Sequence, residues 1–168
     1  MLIRNDTETT DETRDGVRYR VSVSRPVLTG ETEAEKRGNA LFCKIAEKYK
    51  KEARKASPYN YKKLNYTVKC ESPLSVLFES EKRGKNGAFS YTPFAVTFDG
   101  KGRAAPLLLS KARKKEIKRF FKENGVHIKS RDIPYSYFIG KDGRAVVFAK
   151  RRIGKRAVKQ LVLYSVLL

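Results

Sequence analysis

The sequence predicts an α+β domain, an antiparallel sheet with two packed helices in the order β-α-β-β-β-α-β-β-β. Three observations predict it. Apolar residues recur every second position through most of the chain, two segments switch to helical spacing, and the joints between them are short and rich in glycine.

In "VRYRVSVSRPVL", Val17, Tyr19, Val21 and Val23 share one face and Arg18, Arg20, Ser22 and Ser24 the other, which is a strand with one wet side. Pro26 lacks a ladder donor and belongs at the strand's end or on an edge. Thr32 with Glu35 three residues on forms a capping box. Behind it, Leu41, Ile45, Tyr49 and Ala53, flanked by Phe42 and Ala46, make the apolar stripe of a first helix that stops before Ser57-Pro58. Alternation returns with Leu64, Tyr66, Val68 and Cys70. A break at 71–73 leads into "LSVLFES", and "KRGKNG" joins that strand to the next. There Ala88, Ser90, Thr92, Phe94, Val96 and Phe98 share a side, and "DGKG" closes the strand. Ser110 caps a second helix carrying Ile117, Phe120 and Phe121, stopped at Asn124-Gly125. "PYSYFIGKDGRAVVFAK" reads as a hairpin, and "QLVLYSVLL" as a last buried strand. The body, 17–168, reads as one domain.

Charge is the conspicuous bulk property. A formal +20 on 168 residues is far above the roughly 2–8 that suits a small domain, so the folded chain attracts anions. Residues 1–16 hold five acids against two arginines, a net of −3, which leaves +23 on the rest. This acidic lead, 1–16, is expected to be a disordered tail able to fold back on the basic body. The longest apolar runs fall far short of the roughly 20 residues of a membrane span, and the N-terminus carries no signal-peptide pattern. Either the chain is cytosolic, with Met1 its true start, or it is a fragment of a longer, exported protein.

Catalytic signals are thin. His127 is the single histidine, just past a helix stop; Asp99 and Asp142 stand beside glycines in turns. Nucleophile-elbow, phosphate-loop and zinc-protease motifs are absent from the sequence, so no enzyme activity, metal or cofactor is expected. Cys43 and Cys70 lack metal-ligand spacing; they read either as small buried hydrophobes or, in an oxidising compartment, as a disulfide. The positive signal lies in two basic clusters. Lys114, Lys115, Lys118 and Arg119 decorate the second helix, and Lys150, Arg151, Arg152, Lys155, Arg156 and Lys159 fill "AKRRIGKRAVKQ", a connector into the last strand and a second candidate anion site. Nucleic acid is one class of ligand that such charge suits.

"RPVLTG", "YTVKCESPLSVLFES", "VTFDGKG" and "FIGKDGRAVVF", in this order, resemble the extracytoplasmic C-terminal domain of RsiV-type anti-sigma factors, a domain also found beside peptidoglycan deacetylase domains. The resemblance spans about 17–168. It implies a non-enzymatic, extracytoplasmic sensing module; with the basic clusters, the expected ligand is an anionic envelope polymer or a protein partner. The RsiV-type partner is lysozyme, itself cationic, which a chain of +20 would repel. Two departures stand out: the turn is shortened to Asp99-Gly100-Lys101-Gly102, and the cationic stretch follows Phe148.

Overall fold

The computed structural model describes residues 2–55, 58–154 and 156–166. Among these residues, eight strands and two long helices follow one another as β1 (Ile3–Arg14), β2 (Val17–Leu28), α1 (Glu33–Ala53), β3 (Tyr61–Glu71), β4 (Leu74–Arg83), β5 (Phe89–Thr97), α2 (Lys111–Glu123), β6 (Tyr137–Ile139), β7 (Ala145–Ile153) and β8 (Arg156–Val166). A short 3-10 turn, Ile133–Tyr135, precedes β6. The α+β class and the expected run from β2 onward hold. The strands divide into a five-stranded sheet, β1-β2-β3-β4-β5, and a three-stranded sheet, β6-β7-β8.

Three expectations need correction. The acidic lead is not a disordered tail: it is β1, paired antiparallel with β2 from Ile3 opposite Leu28 to Arg14 opposite Val17. Cross-strand charge supports the pairing, because Asp6 and Asp11 stand opposite Arg25 and Arg20. Asp6 grips Arg25 at 2.7 Å, and Glu8 reaches Lys50 of α1 at the same distance. Asp15 and Gly16, with φ of 49° and 70°, make the two-residue turn. Secondly, the sheet is mixed: β2 and β3 pair in parallel, Arg20 opposite Tyr61 through Val23 opposite Leu64, because α1 carries the chain back across the sheet between them. The described chain divides into two compact units. Unit 1 holds residues 1–66, 78–92 and 100–103; unit 2 holds 67–77, 93–99 and 104–168. Lastly, "AKRRIGKRAVKQ" is not a connector. It is the end of β7, a turn at Gly154, and the start of β8.

In unit 1, α1 lies against β2. The Asn39 amide clasps the strand's last residue, its Oδ1 accepting from Leu28 N–H and its Nδ2 donating to Leu28 C=O, both at 2.8 Å. The capping box is present: Thr32 Oγ1 accepts from Glu35 N–H and Glu35 Oε2 from Thr32 N–H, each at 3.2 Å. Thr32→Ala should cost about 1 kcal/mol, read as a lowered denaturation midpoint. The buried line of α1 is Gly38, Phe42, Ala46, Tyr49 and Ala53, whereas Leu41 and Ile45 sit at its margins, half-buried. Gly102, at φ +73°, approaches the start of α1 so closely that an added Cβ would meet the Ala34 carbonyl at 2.3 Å. The "DGKG" turn therefore ends in a residue without a side chain.

On β5 burial does not follow a single face, since Phe98 is also buried just past the strand's end. Tyr91 and Thr97 are buried, while Thr92 is exposed. The Tyr91 hydroxyl donates to Glu79 Oε1 at 2.7 Å. Burial, then this carboxylate, raises the phenol above its ordinary range. A raised folded-state value stabilises the fold fully below the unfolded tyrosine's pKa of about 10, and that stability is lost as pH rises beyond it. Denaturation midpoints should therefore fall above about pH 10, and less steeply in Tyr91→Phe.

Unit 2 is layered. On one face of the three-stranded sheet, Ala145, Val147 and Val166, with Tyr137 and Ile139, pack against Ile117 and Phe121 of α2. The alternate residues, Phe138, Val146 and Phe148, face the other way onto Leu77. The buried Ser75 hydroxyl, 2.7 Å from that of Thr97, accepts the Ile139 N–H at 2.9 Å and so holds β6 in place.

Candidate anion-binding sites

The second helix forms because Ser110 Oγ accepts the Arg113 N–H at 3.2 Å and because Ile117 and Phe121 are wholly buried against the sheet. Phe120 packs on Tyr164 with ring centroids 4.8 Å apart, and the Tyr164 hydroxyl hydrogen-bonds Glu116. With that side fixed inward, Lys111, Lys115, Lys118 and Lys122 recur at i, i+4, i+7 and i+11 as one exposed line. None has a carboxylate within ion-pair distance among the described residues, while Arg113 and Arg119 are occupied by Glu116 and Glu123, both at 2.8 Å. The structure thus refines the predicted cluster. Lys115 and Lys118 lie in the line, Lys114 is half-buried beside it, and Arg119 is neutralised by its acid neighbour. Sequence reading passed over Lys111 and Lys122 as site residues, although helical spacing from Lys115 and Lys118 would have found them.

The hairpin cluster is looser. Arg151 and Arg152 are exposed, and Arg151 makes a long contact of 3.4 Å to Gln160 Oε1. Lys150 is half-buried; desolvation, then Arg152, lowers its ammonium below the usual lysine range. Lys159 is exposed. Lys155 lies outside the described residues, and Arg156 pairs with Ile153 through the ladder.

His127 is exposed on the loop after α2, and Asp142 Oδ1 accepts the Arg144 N–H at 3.1 Å, a turn-shaping role. Both cysteines are free thiols in this structure, Cys43 in unit 1 and Cys70 in unit 2. Cys43 is exposed rather than a buried hydrophobe, its sulfur 2.7 Å from the Arg25 guanidinium, and Cys70 is half-buried. Among the described residues no cluster of three or more His, Cys, Asp or Glu is arranged to hold a metal ion.

A third cationic group escaped sequence reading altogether. In unit 1 a cavity of about 290 Å³ is lined by Arg14, Lys50, Arg54, Lys55 and Lys62, with Tyr19, Val21 and Tyr59 as its less polar walls. These residues come from four separate stretches of chain, so no local pattern joins them.

A crystal structure of a DUF3298-family member from Bacteroides fragilis superposes on 98% of this chain and 90% of that one, with a TM-score of 0.56 and 9% identity. This chain shares that protein's fold. No family model and no curated protein matches the sequence. With so low an identity the likeness concerns the fold alone, and the RsiV-type motifs keep the meaning they had as sequence.

Proposed function

We propose that this chain is a non-catalytic, extracytoplasmic binding module of the RsiV-like type, and that it holds an anionic envelope polymer along α2. The shared fold supports the module class, since DUF3298 is an RsiV-like domain also associated with peptidoglycan deacetylases. The observation that carries the ligand class is the line of Lys111, Lys115, Lys118 and Lys122, exposed and without acid partners among the described residues. Eleven residues of helix extend about 16 Å, with roughly one charge per turn, which suits a linear chain of repeating anions better than one compact ion. Surface lysines usually make ion pairs where acids are near. Here the available acids serve the two arginines instead.

Titration of the whole chain with poly(glycerol phosphate), single- and double-stranded DNA and lysozyme, at low and at about 0.15 M salt, tests this. Retention of poly(glycerol phosphate) at the higher salt, with DNA released, is the expected result. Selective retention of DNA would replace the reading with nucleic-acid binding. Salt-erased binding to every polymer would leave the line of lysines as a solvated helix face.

A further inference from the structure

The cavity of unit 1 has a feature that a solvated charge patch lacks, a buried ammonium with no counter-ion. Lys62, near the start of β3, is only 4% exposed. Its Nζ donates to the carbonyls of Ala53 (2.5 Å), the last residue of α1, and of Lys55 (3.3 Å), just past it. The negative end of the helix dipole favours a cation there. Two neutral acceptors leave one of the three ammonium donors unused, and no carboxylate pairs with Lys62 among the described residues. Burial first, and then the positive charges of Lys82 and Arg14, hold the ammonium below the usual lysine range. A buried cation in such surroundings is costly unless something supplies the opposite charge.

The rest of the lining has the same imbalance. Five cations face two acids, Glu12 and Asp15. Glu12 is taken by Arg14 at 2.5 Å, and Lys50 is already satisfied by Glu8 and Glu47. Arg54 and Lys55 have no acid partner among the described residues. The lining also includes Tyr19, Tyr59 and Val21. A volume of about 290 Å³ lies at the small end of ligand pockets, roughly 300–1,000 Å³, so it is sized for one ring with its substituents.

We infer that this cavity is a binding site for a single-ring organic anion, its carboxylate or phosphate set against Lys62, Arg54 and Lys55 and its ring beside Tyr19 and Tyr59. The anion supplies the counter-charge that the fold withholds from Lys62. The site is independent of the lysine line on α2, and it stands or falls without that reading.

The test is calorimetric titration of the full chain at about 0.15 M salt with three probes, glucose 6-phosphate, glucuronate and 4-hydroxybenzoate, and with glucose as the neutral control. Saturable one-to-one binding of at least one anion, a raised melting temperature and no response to glucose are expected. Which probe binds separates phosphate from carboxylate and sugar from aromatic ring. Lys62→Met should weaken that binding at least tenfold. Because Lys62 also ties down the end of α1, the double variant Arg54→Ser, Lys55→Ser is the companion: it leaves Lys62 in place and should weaken binding at least threefold. Amide shifts on titration should concentrate at Thr10, Tyr19 and Asn60. No saturable binding by any of the three anions overturns the inference, as does binding that both variants leave unchanged or that maps to α2. Replacing Lys111, Lys115, Lys118 and Lys122 should not alter this binding, so failure of one site is distinguishable from failure of the other.

Discussion

Phe78→Ala is expected to destabilise the protein by about 3–5 kcal/mol. Phe78 lies on β4 within unit 1 and is wholly buried. Its ring meets Phe42 of α1 at 6.0 Å and Tyr66 of β3 at 6.4 Å, both tilted. Truncation removes the transfer free energy of the ring and leaves a cavity that helix and sheet cannot both relax into. Domains of this size are stable by only about 5–15 kcal/mol, so the loss is a large share of the total. Urea unfolding followed by circular dichroism measures it through the midpoint, provided that the slope with denaturant is unchanged. A loss under about 1 kcal/mol, the size of a surface effect, would mean that this aromatic cluster is not the centre of unit 1.

Neutralising Lys111, Lys115, Lys118 and Lys122 to glutamine should reduce polyanion binding most steeply of any surface change. Glutamine has nearly the helix propensity of lysine, so α2 and its packing through Ile117 and Phe121 should survive. Each phosphate neutralised by the protein releases counter-ions. At about 0.7 per charge for a flexible single strand, the plot of log affinity against log salt should become shallower by about 3. Arg151→Gln with Arg152→Gln, at the hairpin, should change that slope by about 1–2 at most. A slope that the four-lysine variant leaves unaltered would remove α2 from the binding surface. An equal loss in both variants would mean that binding follows net charge and not the ordered line.

Much of the fold was legible because period and punctuation agreed. The capping box at Thr32 and Glu35, the Ser110 cap, the Asn124-Gly125 stop and the Gly140–Gly143 turn all lie where local chemistry put them. β1 escaped because its residues are threonines and acids with almost no apolar side chain. Its pairing comes from the cations of β2 and α1 opposite it, a match that no window along the sequence displays. Asp15-Gly16 was a visible hairpin signal, hidden only by the polarity of the strand before it. Which side of β5 is buried was open for a related reason. Alternation marks two faces but does not say which one is inside, and burial of Tyr91 with its bond to Glu79 decided it.

By itself the sequence determined the class, the order of elements after β1, the two helices with their caps and the strong positive charge, because each follows from local propensity or from counting. Tertiary structure alone decided the parallel pairing of β2 with β3, the division into two sheets and the gathering of Arg54, Lys55 and Lys62 around one cavity. Those features join residues distant in the chain. Their energies depend on which groups lose water together and which charges are left without partners, and folding settles both only when the segments meet.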